Sequence, residues 1–116
     1  MDAITKTDDP TEGQTLQKIE AYLRGVQADD EVVIRNTHGG ILTFEIAKVT
    51  GTKPSSGRLY TDLSGGYGGC AWYMKSGKNT YYPGGQSQLF IPTDAIREFM
   101  NEHPTGMWTY KTYSPE

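Results

Sequence analysis

Cysteine, histidine and long apolar runs are scarce in this chain of 116 residues, which contains one cysteine and two histidines. One cysteine excludes an internal disulfide, and the wide spacing of Cys70, His38 and His103 gives no metal-ligand pattern, so we expect no metal site. No segment approaches the roughly 18 apolar residues that a membrane helix needs. Residues 1–10, MDAITKTDDP, lack the basic and then apolar pattern of a secretion signal. We therefore expect a cytoplasmic protein without membrane contact.

Charge of either sign is also modest. The net charge of −3 excludes both a polycation and an acidic mimic of DNA. Residues 46–93, however, have five basic residues and one acidic residue, a local charge of +4, and they hold seven of the 13 aromatic residues. Basic residues interleaved with flat rings are typical of proteins that bind single-stranded nucleic acid. Ordinary strands that alternate between core and solvent would have a similar composition.

Apolar residues at helical spacing mark two helices. Thr11 and Gln14 fit a capping box before an apolar stripe, which predicts a helix over residues 12–24. The stripe would cover an open end of the fold or bind a partner. A second helix is predicted to begin at residues 92–94. Its buried edge would have three side chains: Ile96, Phe99 and Met100.

The other apolar residues follow a period of two, interrupted by glycine-rich turns. This pattern predicts strands at residues 31–35, 41–49, 58–63, 70–75, 80–82, 86–91 and 107–113. Turns or loops are predicted at residues 37–40, 51–57, 64–69 and 76–79. Short strands joined by such turns are typical of a small, strongly curved barrel. We therefore predict a mainly β (α+β) fold with one domain over residues 11–116 and a flexible tail over residues 1–10.

This order of elements resembles an SH3-like barrel. Within it, Val32-Val33-Ile34, Gly39-Gly40 and Ala47-Lys48-Val49 resemble a KOW-type motif, a strand, glycine turn and strand found in domains that often contact RNA or ribosomal partners. The resemblance implies a small antiparallel SH3-like barrel with an N-terminal helix and a short C-terminal helix. Residues 57–89 are also similar to small accessory proteins of phages and mobile elements, which implies a non-enzymatic accessory protein.

Motifs for cofactors and catalysis are incomplete. Gly77-Lys78-Asn79 lacks the hydroxyl residue of a phosphate-binding loop, and the glycine-rich residues 66–71 precede a strand instead of a helix, so we expect no nucleotide cofactor. Cys70 with a histidine is the one thiol–imidazole combination, whereas a lone cysteine in an aromatic strand is more often a small buried hydrophobe. The acidic residues 29–31 could serve acid–base chemistry or form a hydrated linker.

Basic and aromatic side chains on neighbouring hairpins form the candidate binding surface. The residues are Arg58, Tyr60, Tyr67, Tyr73, Lys75 and Lys78. Tyr67 lies between two Gly-Gly pairs, so we expect its ring to project from a loop tip. If Trp72 and Met74 point inward, strand alternation places Tyr73 and Lys75 together on the outer face. Alternation also predicts that one of Tyr81 and Tyr82 is exposed.

These observations favour a binding protein that is not an enzyme. The leading hypothesis is a phage or mobile-element accessory protein that contacts nucleic acid or a nucleoprotein complex through this surface. The alternative is a protein-binding adaptor or inhibitor with the same tyrosine-rich surface, because tyrosines often anchor protein interfaces. A third hypothesis is a small cysteine enzyme. An unpaired strand edge could also support a homodimer.

Overall fold

The computed structural model of the protein describes residues 10–11, 13–82 and 88–108. Short antiparallel strands and two α-helices account for the regular structure of these ranges, as predicted for a mainly β (α+β) fold. The elements are α1 (Leu16–Gly25), β1 (Glu31–His38), β2 (Ile41–Lys53), a 3-10 helix (Pro54–Ser56), β3 (Arg58–Thr61), β4 (Ala71–Tyr73), β5 (Leu89–Phe90), α2 (Asp94–Glu102) and β6 (Met107–Trp108). Residues 1–9 of the predicted tail lie outside the described residues.

The strands form one curled, half-barrel sheet in the order β4-β3-β2-β1-β5, and β6 pairs with the beginning of β2. β1 and β2 form a hairpin that extends from the Glu31–Lys48 pair to the His38–Ile41 pair. The register between β2 and β3 shifts between Val49 and Gly51. Because a bulge of this kind bends a strand and increases its twist, β2 can pair with β1 and with β3 in different parts of the sheet.

The segment after β4 connects the two ends of the sheet. The Thr80 amide donates to the Ala71 carbonyl at 2.9 Å, so this segment runs back along β4. The carbonyl oxygen of Gly77 accepts the amides of Gln88 and Leu89 at 3.0 and 2.9 Å. These contacts bring the connection that follows β4 beside β5, and residues 80–82 therefore lie near the end of β1.

Helix α1 begins later than predicted. Thr15 is its N-cap, and the Thr15 hydroxyl accepts the Lys18 amide at 3.2 Å. The predicted capping box at Thr11 and Gln14 is wrong. The Gln14 carboxamide instead donates to the Ile91 carbonyl at 3.0 Å and accepts the Ile91 amide at 2.8 Å. The Gln14 side chain therefore contacts a distant part of the chain, while the backbone amide of Gln14 donates to the Thr11 carbonyl at 3.0 Å.

Both helices place an apolar edge in the core. Ile19 and Leu23 of α1 are buried there, so this stripe is structural and is not a partner-binding face. The prediction for α2 is confirmed, since Thr93 caps the helix, two of the three predicted residues are buried and the third is partly buried. Phe99 contacts Phe44 of β2 edge to face, with ring centroids 5.4 Å apart. Neither described helix is long and apolar enough to cross a membrane.

Two predicted elements differ in type. Residues 51–53 were predicted as loop, but β2 continues through them to Lys53. Residues 80–82 were predicted as a strand, but they lie in a turn that begins at Asn79, and Asn79 forms only an isolated bridge with Trp72. The predicted strands 31–35, 58–63, 70–75, 86–91 and 107–113 correspond to β1, β3, β4, β5 and β6 with different limits. Residues 86–87 and 109–113 of these predictions lie outside the described residues.

Candidate binding site

Strands β3 and β4 bring part of the predicted surface together. Arg58 and Tyr73 are direct partners in the antiparallel register, and the Arg58 guanidinium carbon lies 5.6 Å from the centroid of the Tyr73 ring. Tyr60 lies two residues along β3, on the same face as Arg58, while Leu59 between them is buried. We call Arg58, Tyr60 and Tyr73 the hairpin face. It presents one cation and two partly exposed rings.

The two predicted lysines follow the hairpin face in the chain. The Tyr73 amide donates to the Lys78 carbonyl at 2.9 Å, and this bond closes the turn that holds Lys75. Lys75 is exposed and Lys78 is partly exposed. Asp62, the acidic residue of the basic segment, accepts the Lys48 amide at 2.9 Å beyond the end of β3. The local positive charge therefore lies around the β3–β4 hairpin and the turn that follows it.

Tyr67 does not project from a loop tip, so this prediction is wrong. Its ring packs edge to face against Trp72, with centroids 6.0 Å apart, and its hydroxyl donates to the Arg35 carbonyl at 3.1 Å. Burial raises the pKa of the Tyr67 phenol, and the positive charge of Arg35 acts in the opposite direction. Trp72 is buried in the core, so Tyr67, which packs against it, lies on the opposite side of β4 from Tyr73. Tyr67 is therefore not part of the hairpin face.

The glycine-rich loop is held against β1, which explains the position of Tyr67. The Asn36 side chain donates to the Gly65 carbonyl at 2.6 Å, and the Tyr67 amide donates to the Ser64 carbonyl at 3.1 Å. A side chain at position 65 would overlap the methyl group of Ile34, so only glycine allows this close approach. The glycine-rich loop is therefore fixed against β1.

A cleft of about 700 Å³ lies between this loop, the end of β1 and the segment after β4. We call it the Arg35 cleft, and its lining includes Arg35, Asn36, His38, Gly66, Tyr67 and Tyr82. Its volume falls within the range that is usual for small-molecule sites. The sequence analysis did not identify this site, because its walls come from five separate parts of the chain.

Arg35 gives the cleft a buried positive charge. Its residue surface is 3% exposed, and its guanidinium carbon lies 5.7 Å from the centroid of the Phe90 ring. The described lining contains no aspartate or glutamate, and His38 is its other basic side chain. The guanidinium is therefore packed against an aromatic ring of the core.

Tyr81 and Tyr82, which come shortly after β4, were not predicted as site residues. Strand alternation predicted one exposed ring, but Tyr81 and Tyr82 are 69% and 54% exposed. Alternation does not apply to them because they lie in a turn, where the Tyr81 amide donates to the Asn79 side-chain oxygen at 2.8 Å. Tyr82 leans against Tyr67, with ring centroids 6.0 Å apart, and lines the Arg35 cleft.

The cysteine and the two histidines considered for catalysis lie on different elements of the fold. Cys70 is partly exposed just before β4, and His38 is exposed at the end of β1. His103 caps α2, with its ring centroid 4.8 Å from that of Phe99. Among the described residues, no group of three or more histidine, cysteine, aspartate and glutamate side chains could hold a metal ion.

The consecutive acidic residues after α1 have structural contacts. The Asp30 carboxylate accepts the Gln27 amide at 2.9 Å, which stabilises the turn before β1. Glu31 forms an ion pair with Arg97 of α2 at 2.6 Å. The Asp30 carboxylate therefore stabilises the turn before β1, and the Glu31 carboxylate links β1 to α2.

A comparison of this chain with models of protein families, with curated proteins and with solved structures finds no significant match.

Proposed function

We propose that this protein binds single-stranded nucleic acid, alone or within a nucleoprotein complex, and is not an enzyme. The observation that carries the proposal is the contact between the Arg58 guanidinium and the Tyr73 ring, with Tyr60 on the same face. A cation beside partly exposed rings offers a phosphate contact and a stacking platform in one place. Lys75 and Lys78 extend this positive charge along the following turn.

Our proposal also includes the fold family and the biological setting that the sequence predicts. The curled half-barrel with its capping helices supports an SH3-like barrel, and the short motif in β1 and β2 resembles domains that contact RNA. We propose on this basis a cytoplasmic accessory protein of a phage or mobile element. We exclude Tyr67 from the proposed contact residues because its ring is packed against Trp72.

The test is a titration of labelled single-stranded DNA and RNA oligonucleotides at two salt concentrations. Replacing the ring in Tyr73→Ala should weaken binding about fivefold to a hundredfold, since one stacked base contributes about 1–3 kcal/mol. Arg58→Gln and Lys75→Gln should each weaken binding. Each should also reduce the slope of the logarithm of affinity against the logarithm of salt concentration by about one. Lys18→Gln, which removes an exposed lysine from α1, is the matched control.

Two results would contradict this function. One is the absence of binding to either oligonucleotide at low salt. The other is binding that the hairpin-face variants and the α1 control alter equally, because a contact through Arg58 and Tyr73 requires a difference. Circular dichroism of each variant would show that its fold is retained.

Exposed aromatic rings favour a second candidate, a protein-binding adaptor or inhibitor. Tyr81, Tyr82 and Trp108 are the most exposed aromatic residues of the described chain. Tyrosine and tryptophan are frequent anchors of protein interfaces. A photo-crosslinker at position 81 should capture one discrete partner, whereas equal capture from position 18 on α1 would argue against an interface at the tyrosines.

A homodimer through an open strand edge has less support. β4 is bordered by the segment that contains Thr80, and the beginning of β5 by Gly77. Among the described strands, β6 pairs with β2 at the margin of the sheet and is the edge that we propose for such a dimer. Light scattering over a range of protein concentrations would measure the mass, and a constant monomer mass would exclude the dimer.

A further inference from the structure

We propose that an unpaired base of a bound nucleic acid strand lies in an open slot beside Tyr60, and that Lys53 joins Arg58 in contacting the phosphates of that strand. The slot lies over Gly51 of β2 and Ala71 of β4, the two neighbours of Tyr60 in the sheet. The proposal, which rests on the function proposed above, adds a base subsite and a phosphate contact to the hairpin face.

Two rows of residues cross β2, β3 and β4 on the outer face of the sheet. The charged row consists of partners in the antiparallel register: Lys53, Arg58 and Tyr73. The open row consists of the next outward-facing partners: Gly51, Tyr60 and Ala71. Register partners share one side of a sheet, whereas Leu59, which separates the two rows on β3, is buried. The rows lie about 7 Å apart, the distance between alternate residues of a strand.

Tyr60 is the one large side chain of the open row. Its partners Gly51 and Ala71 have at most a methyl group, so the sheet surface on both sides of Tyr60 is low. A Cβ atom at position 51 would have no atom of a non-adjacent described residue within 4 Å. Tyr60 is itself partly exposed, so a flat base has room to stack against its ring.

The fold does not require glycine at position 51. The φ angle of Gly51 lies outside the left-handed region, so the neighbouring bulge does not depend on a conformation that glycine alone adopts easily. Glycine inside a strand weakens it, and it often marks a place where a ligand approaches the backbone closely. A ligand that occupies the space over Gly51 accounts for the missing side chain.

The charged row sets two positive charges side by side. Lys53 and Arg58 are exposed and directly opposite each other, and like charges in this arrangement destabilise a sheet. The ion pairs found among the described residues involve α1, β1 and α2, and not this row. A phosphate beside Lys53 and Arg58 would remove their repulsion, so the row is complementary to a polyanion.

The pairing of the two rows matches a single nucleic acid strand. A nucleotide joins a phosphate to a flat base through one sugar, so it can contact the charged row and the open row together. The isolated bridge between Trp72 and Asn79 places Lys78 beside Tyr73, which extends the charged row. The bound strand would therefore run across the β-strands. A duplex has its bases stacked on one another, so it presents no free base face to Tyr60.

The experiment measures the affinity for labelled oligothymidylate and oligouridylate of about six nucleotides, together with the unfolding temperature of each variant. Gly51→Val fills the slot and should weaken binding about fivefold to a hundredfold, the effect of losing one stacked base. The same variant should keep or raise the unfolding temperature, because valine favours strands. Gly25→Val adds the same side chain at another glycine with open space, at the end of α1, and should leave binding unchanged.

Two further measurements test the phosphate contact and the need for an unpaired base. Lys53→Gln should weaken binding and reduce the slope of the logarithm of affinity against the logarithm of salt concentration by about one. It should also keep or raise the unfolding temperature, because Arg58 loses a like-charged neighbour. Lys18→Gln on α1 is its matched control. Oligothymidylate paired with oligoadenylate should compete for the protein about tenfold more weakly than oligothymidylate alone.

The outcomes separate this proposal from the function on which it rests. Full affinity in Gly51→Val, together with weaker binding by Tyr73→Ala, would overturn the slot and leave the proposed function intact. Equal effects of Gly51→Val and Gly25→Val, or equal competition by the duplex, would also overturn it. If Gly51→Val fails to fold, equal effects of Lys53→Gln and Lys18→Gln decide against the proposal. A protein that binds neither oligonucleotide at low salt would overturn both proposals.

Discussion

The side chain of Gln14 and the backbone of Ile91 form a reciprocal pair of hydrogen bonds across 77 positions of sequence. Gln14 is buried immediately before α1, and Ile91 follows β5. The pair gives the Ile91 backbone a partner on the side where a further strand would otherwise be needed. It therefore ties the entry to α1 directly to the edge of the sheet.

The Gln14 pair should be important for stability. Gln14→Glu replaces the side-chain donor with a carboxylate oxygen that faces the Ile91 carbonyl, and we expect a loss of about 1–3 kcal/mol in the free energy of unfolding. Guanidinium denaturation at neutral pH measures it. Gln17→Glu makes the same chemical change at an exposed position in α1 and should be almost neutral. Equal effects of the two variants would show that the pair contributes nothing specific.

A buried hydroxyl should be equally sensitive. The Thr61 hydroxyl accepts the Trp72 indole N–H at 2.8 Å and donates to the Leu63 carbonyl at 2.6 Å. Thr61→Val keeps the shape but leaves a buried donor without its acceptor, so we expect a loss of about 1–3 kcal/mol. Thr52→Val in β2 is the control and should be neutral or slightly stabilising because valine favours strands. A neutral Thr61→Val in thermal or denaturant unfolding would contradict this role.

Two tyrosines should make stability fall in alkaline solution. Burial raises the pKa of Tyr22 and of Tyr67 above the ordinary value of 10.0. The folded state therefore holds these protons more tightly than the unfolded state, and their contribution is fully present below pH 10.0 and decreases as the pH rises through the folded pKa values. Denaturant unfolding measured over this alkaline range should show the decrease.

Phenol-to-phenyl variants assign this alkaline effect. Tyr67→Phe and Tyr22→Phe should each reduce the slope of stability against pH, and the double variant should reduce it further. Absorbance at the wavelength of tyrosinate would follow the same ionisations in the folded protein. A slope that Tyr67→Phe leaves unchanged would show that burial of Tyr67 is not the cause.

The sequence predicted local structure better than it predicted contacts between distant residues. The apolar run of β1, the alternation in the first half of β2 and the apolar edge of α2 depend on neighbouring residues, and these elements were identified. The start of α1 was misplaced because Gln14 bonds to Ile91, which no local pattern reveals. The limits of the short strands depend in the same way on which partner strand each residue meets.

The predictions for the candidate site also succeeded where they depended on local structure and failed where they depended on distant contacts. Arg58 and Tyr60 share a face because of strand geometry alone, and this part of the prediction is confirmed. Tyr67 was misplaced because its hydroxyl bonds to the carbonyl of Arg35, 32 positions earlier. The Arg35 cleft combines side chains from β1, the glycine-rich loop and the segment after β4, so no single stretch of sequence indicates it.

Glycine at position 106 should be required by space as well as by backbone conformation. Gly106 has a φ of +92°, and a Cβ atom there would lie 2.7 Å from the Leu42 carbonyl oxygen and 2.6 Å from the Thr43 methyl carbon. Gly39 has a φ of +62° and open space around the same position. Gly39→Ala should therefore show only the cost of a left-handed conformation, about 1–2 kcal/mol. Gly106→Ala should lose a further 1–3 kcal/mol or so through the clash with β2. Denaturant unfolding of both variants measures the difference, and hydrogen exchange at Leu42 and Met107 would report whether β6 separates from β2. Equal destabilisation would show that the backbone before β6 can move away from β2 without cost.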